Sequence, residues 1–127
     1  MVRQDLVARA QAAGAYLKDR LHALAARSPL VGDVRGLGLL GAIELVADKA
    51  SRRALPVDFN APARLTEHGL RHGIALYNRR ANRGEFGDFQ MITPPLTASD
   101  AELDLLVELL ERALADLHDE VRGRGLA

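Results

Sequence analysis

The chain has 127 residues, with seventeen Lys or Arg balancing seventeen Asp or Glu to a formal net charge of zero. No long-range field therefore draws it to a polyanion, which argues against nucleic acid or an acidic membrane as a partner. With 48% apolar residues, three Phe, two Tyr and neither Trp nor Cys, its core must be aliphatic, and it has no disulfide framework, thiolate metal site or thiolate nucleophile, in keeping with a cytoplasmic setting.

One domain over residues 1–127 is expected at this length. Leu6, Ala10, Ala13, Leu17, Leu21 and Leu24 recur every three to four residues, with Arg3, Arg9, Lys18, Asp19 and Arg20 between them. This pattern predicts an amphipathic helix over residues 2–27, stopped at Ser28-Pro29 because proline disfavours helical geometry at the residue before it. The start, Met1-Val2-Arg3-Gln4-Asp5, lacks the apolar stretch of a signal peptide. Residues 31–46 are β-branched and apolar, punctuated by Gly32, Gly36, Gly38 and Gly41, and predict one long bent strand or two short ones. The run is too short to span a bilayer and is interrupted by Glu44.

Residues 47–59 read as an exposed loop. A second helix follows, with Asn60 or Ala61 at its cap, Pro62 in its first turn and Gly73 just past its end. Residues 74–78 and 89–93 are predicted as short strands joined by a polar loop containing Arg79, Arg80, Asn82, Arg83, Gly84 and Gly87, and Pro94-Pro95 ends the sheet. Ser99-Asp100-Ala101-Glu102 is a capping box, with the serine oxygen and the glutamate carboxylate satisfying free amides. Leu103, Leu106, Val107, Leu110, Leu114, Leu117 and Val121 define a third helix, ended by Gly123 and Gly125. The order is that of an α+β fold: a small antiparallel or mixed sheet covered on one face by about three helices, its other face left for a partner.

Gly36-Leu37-Gly38-Leu39-Leu40-Gly41 matches the dinucleotide fingerprint letter for letter. A phosphate-binding turn must open a helix, whereas Ala42-Ile43-Glu44-Leu45-Val46 reads as strand, so the glycines are assigned to bulges and close packing. His68 and His72 could share a helix face as metal ligands do, but no third ligand follows in a recognisable motif, and a solvated helix face is the better account. Arg79, Arg80 and Arg83 could present a planar donor fork to a carboxylate or phosphate; from the chemistry alone a solvated loop paired with Glu85 and Asp88 is the better account. A Schiff base needs a lysine in a desolvated pocket, and neither Lys18, on the polar side of helix one, nor Lys49, in a charged loop, has one. No serine with an adjacent base, and no carboxylate pair in an apolar setting, offers another catalytic centre.

Several passages, taken in order, resemble the C-terminal small domain of class III aminotransferases, the pyridoxal-phosphate-dependent ω-aminotransferase group. The first helix ending in Arg27-Ser28-Pro29-Leu30-Val31-Gly32 looks like the helix that leaves the family's large domain. Val34-Arg35-Gly36-Leu37-Gly38 is similar to its small-domain strand signature, Asp48-Lys49 resembles the loop that follows, and Pro94-Pro95-Leu96 with its capped helix resembles the last strand-to-helix passage. The resemblance implies the small domain of a fold type I enzyme that moves an amino group between an amine or ω-amino acid and a 2-oxo acid. It also implies pyridoxal phosphate in the intact enzyme, bound by a large domain absent from this chain, and a second subunit. The chain alone is expected to bind no cofactor or metal, to be inactive, and to self-associate through an apolar surface.

In many members of the family an arginine before the last strand binds the substrate carboxylate and can swing away. The resemblance puts Arg80 first in that role, ahead of Arg79 and Arg83. Arg80 is then expected in an exposed, mobile loop, where its loss shifts stability by less than about 0.5 kcal/mol. Two other readings stay open: a non-catalytic interaction or regulatory module that keeps this fold, and part of a related aminomutase or decarboxylase.

Overall fold

The computed structural model describes residues 5–127, with the backbone alone at residues 81 and 82. Three helices and four strands follow one another as α1 (Leu6–Arg27), β1 (Val31–Leu37), β2 (Leu40–Leu45), α2 (Ala61–His72), β3 (Tyr77–Arg80), β4 (Asp88–Ile92) and α3 (Asp100–Gly123). The expected start of the first helix, residues 2–4, lies outside the described residues. The sheet has the order β1-β2-β4-β3, and every neighbouring pair is antiparallel. The chain is thus α+β, as its pattern predicts, and the choice between antiparallel and mixed falls to antiparallel. Among the described residues no helix is long and apolar enough to cross a membrane.

Residues 31–46 fold as two strands, because Gly38, at φ +58°, supplies the left-handed turn between them. Gly36 and Gly41 face each other across the hairpin, with Leu37 opposite Leu40. The dinucleotide-like glycines therefore open no helix, and the packing role expected of them holds at Gly38. A Cβ placed on Gly14 of α1 would lie 2.2 Å from the Gly38 carbonyl oxygen. Helix and hairpin meet backbone to backbone at that point.

The sheet is covered from one side. Val34, Ile43, Leu45 and Ile92 are buried on that face, while Arg35, Ala42, Glu44, Phe89 and Met91 alternate onto the other. Helix α1 packs on β1 and β2, α2 packs on β3 and β4, and α3 lies against both helices. Leu17, Leu21 and Leu24 of α1 join Leu103, Leu110, Leu114 and Leu117 of α3 in one aliphatic core, each 2% exposed or less. Burying side chains of this kind contributes on the order of 1.5–3 kcal/mol each.

Polar ties fix the helices' relative positions. Arg9 of α1 donates to the carbonyls of Leu96, Thr97 and Ala98, clasping the connection between β4 and α3. Tyr16 donates to Asp104 at 2.7 Å, and Arg27 pairs with Glu111 at 2.9 Å. At the start of α3 the Ser99 hydroxyl accepts from the Glu102 amide at 3.1 Å, as a capping box requires. The Glu102 carboxylate accepts from that same hydroxyl and not from a backbone amide. Asn60 stands before α2 with a left-handed backbone but makes no side-chain cap bond.

The contact between α1 and the hairpin makes residue 14 intolerant of a side chain. Gly14→Ala is expected to destabilise the chain by about 1–3 kcal/mol, as overpacking does, despite the gain of about 1 kcal/mol that alanine brings to a helix interior. Urea unfolding of the two proteins measures the difference.

Candidate functional site

The register of the four strands lays out the uncovered sheet face residue by residue. Arg35, Ala42, Met91 and Tyr77 form one row across β1, β2, β4 and β3, and Asp33, Glu44, Phe89 and Arg79 form the next. Tyr77 is 63% exposed, and Leu37 and Leu40 at the hairpin tip are 86% and 60% exposed. A shallow groove of about 320 Å³ runs between Arg35 and Arg79 over Ala42, Phe89 and Met91, with Arg80 also in its lining. One of its two flanking cations is already balanced: Arg35 pairs with Asp33 at 2.8 Å and Glu44 at 3.6 Å and lies 5.9 Å from the centre of the Phe89 ring. The hydrogen bond from Arg35 holds the Asp33 carboxyl below the usual carboxylate range.

The three arginines expected in one mobile loop have three different environments. Strand β3 begins three residues later and ends two residues later than the predicted 74–78, and so takes in Arg79 and Arg80, which pair in register with Phe89 and Asp88. Successive residues of a strand point to opposite faces, so Arg79 belongs to the open face and Arg80 to the helix side. Arg80 is not exposed. Its side chain retains 19% of its accessible surface, Nε donates to Asp88 Oδ1 at 2.9 Å, and Nη2 donates to the Val57 carbonyl at 2.6 Å. Asp88 is 5% exposed; burial pushes its carboxyl pKa up, and the Arg80 pair offsets part of that rise. The expectation of a free, loop-borne Arg80 is corrected here, because pairing with β4 draws the residue into the sheet.

Arg83 lies in the short 3-10 turn Ala81–Gly84, exposed and with φ at +60°. Among the described residues neither Arg79 nor Arg83 has an ion pair. Sequence reasoning named Asp88 only as a partner in a solvated loop, not as the buried anchor of Arg80, and missed Phe89 as the platform for Arg35. The alternation of Asp88, Gln90 and Ile92 against Phe89 and Met91 was a signal for the first: it places an acid on the core side, where it needs a cation.

His68 and His72 do not form a solvated face. Both turn into the seam between α2 and α3, where Nε2 of His68 donates to Glu120 at 3.2 Å and Nε2 of His72 to Asp116 at 2.6 Å. Arg64 and Arg124 share the Glu120 carboxylate at 2.6 and 3.1 Å. No group of three metal-ligating side chains converges among the described residues. The lysines are equally committed. Lys49 donates to the Ala25 and Ser28 carbonyls at the end of α1, at 2.6 and 3.2 Å, and Lys18 reaches the Gly36 carbonyl at 3.5 Å.

The aminotransferase class-III family model matches residues 1–114. An uncharacterized aminotransferase of Schizosaccharomyces pombe is 33% identical over 113 residues, covering 88% of this chain and 25% of that protein. The diaminobutyrate--2-oxoglutarate transaminase of Halomonas elongata is 33% identical over 123 residues, covering 97% of this chain and 25% of its own length. An amine transaminase from an uncultivated Pseudomonas species, solved with PLP bound, superposes with a TM-score of 0.77 at 34% identity over 91% of this chain and 24% of that one. The chain thus spans about a quarter of the length of the proteins it matches.

Two expectations follow from the ion pairs. Arg80→Ala strands a buried carboxylate and is expected to cost about 2–3 kcal/mol in urea unfolding, well above an ordinary surface substitution. At Glu120 burial pushes the carboxyl pKa up, but the His68 hydrogen bond and the Arg64 and Arg124 charges outweigh it and hold the group below its ordinary value. A lowered carboxylate stabilises the fold above its unfolded-state pKa, and that contribution is lost as pH falls through the folded-state value. Stability should therefore decline as pH drops below about 4.3, and Glu120→Gln should flatten part of that decline while lowering stability at pH 7, as read by unfolding midpoints across the range.

Proposed function

Because the chain belongs to the class III aminotransferases, we propose that it is the C-terminal small domain of an enzyme transferring an amino group between an amine or ω-amino acid and a 2-oxo acid. Pyridoxal phosphate supplies the electron sink in such an enzyme. This chain's own residues do not fit the lysine attachment of that cofactor, since the Lys49 ammonium caps the carbonyls ending α1 and Lys18 lies exposed against a strand carbonyl. The cofactor then belongs to a large domain outside the chain, and the chain alone is inactive.

What this domain contributes is the recognition of substrate charge. The observation that carries this reading is Arg79, which has no ion pair among the described residues and lines the groove on the sheet face left bare by the helices, with exposed Arg83, likewise without an ion pair among them, in the turn that follows β3. Charge-assisted bonds from arginine suit a carboxylate, whose two oxygens match the planar donor fork. Arg80 yields that role, since its donors are engaged by Asp88 and Val57. The bare face, with Leu37, Leu40 and Tyr77 exposed, is the surface offered to the large domain or a second subunit, and supports the expectation that the chain by itself self-associates. The setting proposed is the cytoplasm.

Titrating pyridoxal phosphate into the chain should give no saturable visible absorbance band that Lys49→Ala abolishes. When the chain is joined to a class III large domain bearing the cofactor lysine, Arg79→Ala or Arg83→Ala should reduce kcat/KM for carboxylate-bearing acceptors by about 1.5–3 kcal/mol while sparing uncharged amines. Equal losses on both substrate types, in both variants, would remove the carboxylate reading.

A further inference from the structure

Arg80 occupies the place expected of a substrate-binding arginine, yet three separate parts of the chain take up its guanidinium. Asp88, at the start of β4, accepts from Nε at 2.9 Å, and the Val57 carbonyl, in the turn before α2, accepts from Nη2 at 2.6 Å. The third neighbour is Gly84. A Cβ at that glycine would lie 2.6 Å from Nη2, 2.8 Å from Cζ and 3.0 Å from Nε, so the buried backbone of the turn rests directly against the guanidinium.

The turn needs such a support. Arg83 and Gly84 both have positive φ, at +60° and +97°, and a side-chain-bearing residue in the left-handed region costs on the order of 1 kcal/mol unless its surroundings hold it there. The bend that follows it, from Gly84 to Gly87, is closed by a long bond of 3.4 Å from the Gly87 amide to the Gly84 carbonyl. By contrast, the Arg80 contacts are short and bring in β4 and the segment before α2.

We infer that Arg80 is a positioning residue: held between Asp88 and the Val57 carbonyl, its guanidinium is the floor on which the turn carrying Arg83 folds, and it sets where Arg83 presents its charge. The functional part of this inference rests on the carboxylate reading of Arg79 and Arg83. A simple ion pair to Asp88 would accept lysine in place of arginine. A floor that contacts Asp88, Val57 and Gly84 at once needs the planar group with its separated donors.

The experiment uses the 15N-labelled chain with two replacements. Arg80→Lys keeps a cation opposite Asp88, and Arg80→Leu combined with Asp88→Asn removes both charges, so that no buried carboxylate is stranded. Amide hydrogen exchange is measured at residues 83–87 and through α1 and α3, and the Nε–Hε resonances of Arg79 and Arg83 are followed during titration with acetate. Exchange in the turn should accelerate by at least about tenfold in both variants, as local opening does, while α1 and α3 keep their protection and the acetate-dependent shift of Arg83 is lost. Turn amides exchanging at the wild-type rate would overturn the positioning role, as would a uniform loss of protection through all the helices or an undiminished acetate response at Arg83. A loosened turn in the variants, with no acetate response even in the unmodified chain, would support Arg80 as the floor of the turn and count against the carboxylate reading alone.

Discussion

A single close approach governs how the layers stack. At Gly14 the first helix has no side chain, and the carbonyl of Gly38 fills the space where a Cβ would be. This lets α1 lie directly on the β1–β2 hairpin, with its leucines at 17, 21 and 24 in the core. Helix α3 then packs against α1 and α2, and Arg9 closes the arrangement by binding three successive carbonyls between β4 and α3. Because the covering elements lie on the same side, the opposite sheet face remains bare, and the residues able to meet another molecule are those that alternation places there.

The arginines of the chain show how identical side chains acquire different roles from their neighbours. Arg35 is balanced by Asp33 and Glu44 and lies near Phe89, so little of its charge is available to a ligand. Arg80 has its donors taken by a buried acid and a carbonyl. Arg79, one residue away, has no ion pair among the described residues because the strand turns it to the opposite face. An isolated exposed cation keeps its hydration until a carboxylate replaces it, whereas the Arg80–Asp88 pair has already lost most of its contact with water. The difference between the arginine that is paired internally and the one that is not is one step along a β-strand.

The seam between α2 and α3 is built in a similar way from polar groups. Three side chains, Arg64, His68 and Arg124, meet around the Glu120 carboxylate, and His72 repeats the pairing a turn away with Asp116. Phe59 lies 4.8 Å from the guanidinium carbon of Arg64 and 5.4 Å from that of Arg124. These contacts sit at the edge of an aliphatic core that contains no tryptophan and few aromatic rings, where charge-assisted bonds supply the directionality that leucine packing lacks. They also consume the two histidines whose spacing resembles a metal site.

Local sequence determined much of this protein. The three-to-four-residue recurrence of leucine and alanine specifies α1 and α3, since only a helix gathers such residues on one side; Ser28-Pro29, Gly73 and Ser99 mark helix ends where backbone chemistry demands them. The order of motifs from Arg27 to Leu96 was enough to indicate the family, to which the match over residues 1–114 assigns the chain. What local pattern could not supply was which residues oppose one another. Whether Arg79 and Arg80 belong to a loop or a strand depends on pairing with Phe89 and Asp88, eight to ten residues away, and which arginine becomes buried depends on the register of that pairing. The destination of His68 and His72 depends on a helix some fifty residues further on. Those outcomes rest on non-local contacts, and a change of register by one residue would exchange the two faces of a strand, so only the tertiary structure decided which arginine is paired within the fold and which stands exposed on the open sheet face.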